Sequence, residues 1–156
     1  MKILKVITAF LFFFTFKAVA GEITGNPIIT DGDTIKIINK RIRFYGIDAP
    51  ENRQLCKKNS KEYNCGKIAT DALEKKINKS QVRCIVQDKL DRYKRYIGVC
   101  FVGSINLNQW MVRNGHAVAY RRYSKDYIRD ENYAKKNKLG LWSGDFINPE
   151  KWRKLN

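Results

Sequence analysis

The sequence predicts a single α+β domain in which a small β-barrel is flanked by helices. Five runs rich in β-branched and aromatic residues fall into two groups, three before and two after one amphipathic helical pattern. Two further helical patterns follow towards the C-terminus. No linker, repeat or low-complexity segment separates these elements, so residues 21–156 form one domain long enough for its own core.

Residues 1–20 have the organisation of a secretory signal peptide. Two lysines give a positive start, an apolar run covers 6–16, and Ala18-Val19-Ala20 has the small-residue pattern of a cleavage site. An uncleaved anchor is the alternative, but the apolar run is shorter than the roughly 20 residues that span a bilayer. We therefore expect a secreted or periplasmic protein whose mature domain is 21–156.

The net charge of the chain favours a polyanionic partner. Lysine and arginine outnumber aspartate and glutamate by 31 to 15, which gives a charge of +16. Charge alone leaves nucleic acid, anionic lipid and a merely solubilising surface as alternatives. A cationic membrane-active protein would need a basic amphipathic helix with a broad apolar face, which the sequence lacks, so we expect no stable membrane partner.

The four cysteines favour disulfides. Their number is even, and all of them lie in the part predicted to be exported to an oxidising compartment. A zinc site is the competing interpretation, but there is no C-x-x-C pair and His116 is the sole histidine. Of the three possible connectivities we favour Cys56 with Cys65 and Cys84 with Cys100. The second pair lies symmetrically about residue 92, where a turn between two strands is expected.

The first three β-type runs predict a meander. Runs 23–30 and 34–38 flank the turn signal Asp31-Gly32-Asp33, and run 41–47 follows the polar pair Asn39-Lys40. Residues 66–78 then predict an amphipathic helix, because apolar side chains recur on one face while most charged ones lie elsewhere.

The second half of the chain predicts a hairpin and two helices. Runs 82–86 and 96–102 flank a charged loop. Asn108 is the expected N-cap of a short helix that ends at Gly115, and a last helix covers 126–138. Three strands, a helix, two strands and further helices are typical of a five-stranded OB-type Greek-key β-barrel with three helices.

Three carboxylates gather where two of the predicted strands end. Asp33 lies in the first turn, and Asp48 and Glu51 lie just past the third strand. Any one of them alone is more simply a turn-forming or capping residue. Together they could hold a hard cation, and their spacing does not choose between Ca²⁺ and Mg²⁺.

Two arginines favour a functional role for these acids over a turn-forming or capping role. Arg43 lies in the strand that leads to Asp48, and Arg95 begins the last strand after the hairpin loop. Hydrolysis of a phosphodiester requires an oriented water and neutralisation of growing charge on the phosphoryl oxygens. A guanidinium meets the second requirement with a planar pair of donors that stays charged.

These motifs carry a resemblance that covers most of the domain. From about residue 28 to 142 the chain resembles staphylococcal nuclease and the nuclease domains similar to it. The order and the separations of the motifs match as well. The matching segments are 31–34, 43–51, 91–95, 112–117 and 134–143.

The resemblance implies a calcium-dependent nuclease. Asp33 and Asp48 would be carboxylate ligands of Ca²⁺, with the backbone carbonyl of Ala49 as a third ligand. Glu51 would orient or deprotonate the attacking water. Such enzymes cut DNA and RNA at the 5' P–O bond and leave 3'-phosphates, and we expect this one to be a monomer.

The resemblance also assigns the residues that would contact the nucleic acid. Arg43 and Arg95 would bind the phosphate and stabilise the transition state. Four residues would line the nucleotide site, namely Arg92, Tyr93, Tyr120 and Tyr123. The sequence departs from the pattern at Lys94, which replaces a glycine, so we expect the backbone there to avoid a glycine-only conformation.

A catalytically inactive nucleic-acid-binding barrel is the alternative from another functional class, since the same fold is also used for binding alone. Such a relic would be expected to lose at least one polar residue of the site. All five matching positions are retained, which favours the nuclease. They are Asp33, Arg43, Asp48, Glu51 and Arg95.

Overall fold

The computed structural model describes residues 21–156. Its strands are β1 (Gly21–Gly25), β2 (Ile28–Asp31), β3 (Thr34–Ile37), β4 (Lys40–Phe44), β5 (Ile47–Asp48), β6 (Leu55–Lys58), β7 (Lys61–Asn64), β8 (Val82–Val86), β9 (Tyr96–Val102), β10 (Ile105–Asn106) and β11 (Val118–Ala119). Its helices are α1 (Cys65–Ile77), α2 (Leu107–Arg113), α3 (Ile128–Lys136) and α4 (Pro149–Leu155), with a 3-10 turn at Gly140–Ser143.

The main sheet has the strand order β1-β8-β9-β4-β3-β2, and β10 pairs with the end of β9. β2, β3 and β4 form the predicted antiparallel meander, and β8 and β9 form the predicted hairpin. β4 and β9 run parallel, with Arg43 opposite Ile97. This order curls the sheet into a half-barrel and places the start of β9 beside β4.

Alternate residues of these strands build the core. In β8, Val82, Cys84 and Val86 are buried while Arg83 and Ile85 are exposed, which is the period of two expected of a strand with one solvated face. The same core includes fully buried side chains of β3, β4, α1 and α2, among them Ile35, Ile37, Ile42, Phe44, Leu73 and Met111.

Helix α1 supports the turn between β2 and β3. Asn64 caps its start by accepting a hydrogen bond from the Lys67 N–H at 2.8 Å, and Asn78 ends it in the left-handed conformation. A Cβ atom on Gly32 would lie 3.0 Å from the Cβ of Ala69, so the turn rests directly on the helix. Packing against α1 therefore supports the turn that carries Asp33.

Asn108 is not the N-cap that we predicted. α2 starts two residues earlier than predicted, at Leu107, and Asn106 caps it. The Asn108 amide is fully buried; it donates to the carbonyls of Tyr45 and Gly98 at 2.9 and 3.1 Å and accepts from the Cys100 N–H at 3.0 Å. This side chain ties α2 to β9 and to the loop after β4.

Both predicted disulfides are present. Cys84 and Cys100 lie directly opposite one another on β8 and β9, so their bond closes the hairpin. Cys56 on β6 is bonded to Cys65, the first residue of α1, and this bond fastens the β6–β7 hairpin to the helix. In the described residues there is no free cysteine.

The α+β class and the OB-like architecture are confirmed, but the predicted helix count of three was too low. The described part of the chain includes α4, which Asn148 caps and which starts with Pro149. The main sheet also has more strands than the predicted five. The signal peptide predicted at 1–20 lies outside the described residues, and between 21 and 156 no helix has the length and apolar character to cross a membrane.

Candidate active site

One buried arginine joins the two carboxylates that the sequence singled out. Arg43 on β4 forms an ion pair with Asp33 and donates from Nη2 to Oδ1 of Asp48 at 2.8 Å. It is 9% exposed. Burial disfavours its charge, but the nearby carboxylates outweigh this and raise the pKa of Arg43. The guanidinium is therefore held charged and oriented below the surface.

The turn before β3 fixes the Asp33 carboxylate. Its Oδ2 accepts from the Ala49 N–H at 2.6 Å, and its Oδ1 accepts from the Thr34 hydroxyl at 3.1 Å. Asp31 tightens the same turn, because its Oδ1 accepts from the Asp33 N–H at 3.0 Å. The two predicted segments, around residues 33 and 48, thus meet through a hydrogen bond.

Glu51 lies at the more open side of this group. Its side chain is about one-third exposed, 36%, which leaves a carboxylate within reach of water. Its backbone carbonyl accepts from the Gln54 N–H at 2.7 Å, and Gly66 packs against that carbonyl. The loop after β5 is therefore anchored to the start of α1.

Arg153 is a residue of the site that the sequence analysis missed. This side chain of α4 donates from Nη1 to Oδ1 of Asp48 and to Oε1 of Glu51, both at 2.9 Å, and from Nη2 to Oδ2 of Asp48 at 3.0 Å. The pair Asn148-Pro149 is a helix-start signal that could have indicated α4. No sequence signal indicates that the helix docks on a residue 105 positions earlier.

Burial makes two carboxyl groups of this site harder to ionise. Burial raises the pKa of Asp31 to about 7, with repulsion from Asp33 as the second cause. Burial also raises the pKa of Asp48 to about 6, although hydrogen bonds from Arg153 and the charge of Arg43 act in the opposite direction. A site of this kind favours an additional positive charge.

Arg95 lies in the β8–β9 loop and is held by a separate acid. Its Nε donates to Oδ2 of Asp91 at 2.9 Å, and Oδ1 of Asp91 accepts from the backbone N–H groups of Tyr93 and Arg95. Across residues 21–156, no hydrogen bond or ion pair joins Arg95 to the group around Asp48. The structure thus orients Arg95 without bringing it into contact with that group.

Lys94 adopts the conformation that we expected it to avoid. Its φ of +58° lies in the left-handed region, where its N–H donates to the Asp91 carbonyl at 2.9 Å and closes a turn. A residue with a Cβ pays roughly 1–2 kcal/mol for this conformation. The replacement of glycine is therefore accommodated as local strain.

The four predicted nucleotide-site residues form two groups. In the β8–β9 loop the Arg92 guanidinium lies 4.7 Å from the centroid of the exposed Tyr93 ring. After β11, the rings of Tyr120 and Tyr123 meet edge to face with centroids 4.7 Å apart. Burial and then the charge of Asp48 raise the pKa of Tyr120, so the second group lies within electrostatic range of the carboxylates.

The donor set suits a hard, partly hydrated cation. Asp33 and Asp48 both contact the guanidinium of Arg43, so these two carboxylates lie close to one another. Oxygen is the ligand that Ca²⁺ and Mg²⁺ prefer. In the part of the chain that the structure describes, no group of three or more His, Cys, Asp or Glu side chains is arranged to hold a metal ion. A cation here would take two carboxylates and complete its shell with backbone oxygen and water.

Comparison with known proteins identifies relatives over most of the chain. Residues 41–144 match the family described as staphylococcal nuclease homologue. An uncharacterized endonuclease of Escherichia coli O157:H7 is 33% identical over 158 residues, which cover 96% of this chain and 97% of the relative. The micrococcal nuclease of Shigella flexneri is 32% identical, over 82% of this chain and 78% of that protein.

A third relative carries a different description. The succinoglycan biosynthesis protein ExoI of Rhizobium meliloti is 35% identical over 127 residues, which cover 79% of this chain and 66% of that protein. The family match and the two nucleases nevertheless support a nuclease function. This chain belongs to the family of staphylococcal nuclease homologues.

Proposed function

We propose that the protein is an exported, Ca²⁺-dependent phosphodiesterase that hydrolyses DNA and RNA at the 5' P–O bond and leaves 3'-phosphate ends. The observation that carries the proposal is the buried contact of Arg43 with both Asp33 and Asp48. It combines a phosphate-binding guanidinium with oxygen ligands for a cation. The excess of positive charge over the whole chain suits a polyanionic substrate.

The cation would be held by Asp33 and Asp48, with the backbone carbonyl of Ala49 as a further oxygen ligand. When bound, it supplies positive charge to the phosphate and lowers the energy of the extra negative charge that develops there. The described donors are two carboxylates, so water molecules would fill the remaining positions. Calcium rather than magnesium follows from the family resemblance.

The protein's own side chains would carry the remaining steps. Glu51, being partly exposed, would orient a water molecule and accept its proton. Arg43 and Arg95 would donate to the phosphoryl oxygens, where charge grows as the water attacks. The aromatic rings of Tyr93, Tyr120 and Tyr123 would stack on the bases of the nucleic acid.

Export is supported by two features of the chain. The sequence pattern of residues 1–20 is that of a signal peptide. Two disulfides lie in the described domain, and such bonds form and persist in oxidising compartments. Secretion and retention in a periplasm are equally consistent with both features.

The test is cleavage by protein that begins at Gly21. Plasmid DNA and RNA are incubated with it in Ca²⁺, in Mg²⁺ and in EDTA, and the product ends are mapped. We expect cleavage in Ca²⁺, none in EDTA, and 3'-phosphate ends. Asp48→Asn should abolish cleavage, whereas Asp71→Asn, which removes an exposed acid paired with Lys67, should not. Nucleic-acid binding without cleavage would instead support the inactive barrel.

A further inference from the structure

Helix α4 is attached to the domain mainly by polar contacts. Pro149 is its one buried residue, and Trp152 is half-buried. Glu150 pairs with Arg122 at 3.2 Å on an exposed face. Arg153 contributes three hydrogen bonds, in which its guanidinium donates to Asp48 and Glu51. A helix held in this way can be released without loss of much apolar packing.

Arg153 uses the oxygen atoms that a cation would need. Both carboxylate oxygens of Asp48 accept from its two terminal nitrogens, and Oδ1 also accepts from Arg43. A divalent cation on the same carboxylate would take those lone pairs and would repel the guanidinium, since both are positive. Asp48 itself is fully buried, so it cannot turn outwards to serve both groups in water.

We propose that Arg153 and the divalent cation compete for Asp48, so that α4 is a latch which cation binding releases. The inference rests on the cation site of the proposed function. Competition is reciprocal. The docked helix lowers the affinity for the cation, and the bound cation weakens the docking equilibrium of the helix by the same factor. The docking of α4 therefore becomes part of the site's regulation.

Release of Arg153 also changes the state of Glu51. While docked, the guanidinium donates to Oε1 of Glu51 at 2.9 Å, so this oxygen is engaged by Arg153. Once the latch opens, the carboxylate is free to bind water. Cation binding at Asp48 and the access of water to Glu51 are thus coupled through one side chain.

The first test measures Ca²⁺ affinity by calorimetry, without substrate and at one salt concentration. Arg153→Ala should bind Ca²⁺ about 5- to 30-fold more tightly than wild type. Arg153→Lys keeps the charge but loses the planar fork, and it should lie between the two. Lys154→Ala is the matched control: it removes the same charge from the same helix at a residue that pairs with Glu150, and it should stay within about twofold of wild type.

The second test follows hydrogen exchange of residues 149–155 with and without Ca²⁺. Exchange in this segment should become at least severalfold faster in Ca²⁺ in wild type, while exchange in β8 is unchanged. Equal Ca²⁺ affinity in wild type and Arg153→Ala, or unchanged or slower exchange in α4, would overturn the latch and leave the proposed function standing. If no variant binds Ca²⁺, the calcium dependence of the proposed function fails together with the competition.

Discussion

Gly66 lies against the backbone of Glu51 so closely that a Cβ atom on it would come within 1.7 Å of the Glu51 carbonyl oxygen. The Gly66 N–H also donates to the Gln54 carbonyl at 3.3 Å. The loop that carries Glu51 is therefore seated on the first turn of α1 at a place where no side chain fits.

Gly66→Ala should destabilise the domain although alanine is the better helix residue. Collision with backbone cannot be relieved by a rotamer change, so we expect a loss of about 2–3 kcal/mol in urea unfolding. Gly103→Ala is the control, because nothing lies within 4 Å of its added Cβ and its cost is that of a φ of +55°, roughly 1 kcal/mol. Equal effects at the two positions would contradict the close approach.

Arg95 should matter for turnover far more than for binding. A guanidinium that meets charge developing on the phosphoryl group acts on the transition state, so Arg95→Ala and Arg95→Lys should each slow single-turnover cleavage by roughly 10²–10³. DNA affinity should fall only modestly, because it is spread over many basic residues. Arg83→Ala is the control. It removes an arginine of β8 that is paired with Glu22 on β1, and this variant should cleave normally.

Glu131 should make stability fall in acid. Burial acts to raise its pKa, but hydrogen bonds from Lys135 and Arg121 outweigh burial and lower it. A lowered folded-state pKa means that the stabilisation is present above the usual Glu value of 4.5 and is lost as the pH falls through the folded value. Urea midpoints between pH 7 and pH 3 should therefore drop further in wild type than in Glu131→Gln.

The control for this pH effect is Glu22→Gln, which removes an exposed carboxylate paired with Arg83. Exposed pairs contribute little, so this variant should follow the wild-type curve. A Glu131→Gln curve that also coincides with wild type would show that the contacts of Glu131 do not link folding to protonation.

The Cys84–Cys100 bond should contribute about 3 kcal/mol of stability, and the shorter Cys56–Cys65 loop about 2.5 kcal/mol, if chain entropy dominates. Paired alanine substitutions, which leave no buried thiol, should show losses in this order in urea unfolding without reductant. Intact mass before and after reduction gives the independent check, since two bonds correspond to four hydrogens. Four titratable thiols in the unreduced protein would contradict the pairing.

Local signals explain why much of the fold and part of the site could be predicted. The Asp31-Gly32-Asp33 turn and the start of α1 depend on neighbours within a few residues, and these contacts are formed as expected. The meeting of Asp33 and Asp48 also follows from pattern, because a meander brings a turn and a strand end to the same edge.

Interactions that sequence spacing does not reveal explain the features that were predicted wrongly or not predicted. Asn108 has the chemistry of a cap, but its burial between α2 and β9 turns it into a link that sequence spacing does not reveal. Arg153 docks on Asp48 across 105 positions of sequence, where periodicity carries no information. Lys94 occupies a left-handed turn because Asp91 fixes the loop around it.

The bond between Cys84 and Cys100 makes the β8–β9 hairpin a covalent ring. Residues 88–90 at its tip are exposed and belong to no strand. A peptide bond broken there would leave both strands paired and joined through sulfur, so a nicked, two-chain form should migrate as a single species until it is reduced. The same tip is therefore the place to insert a tag or a reporter without cutting the barrel in two.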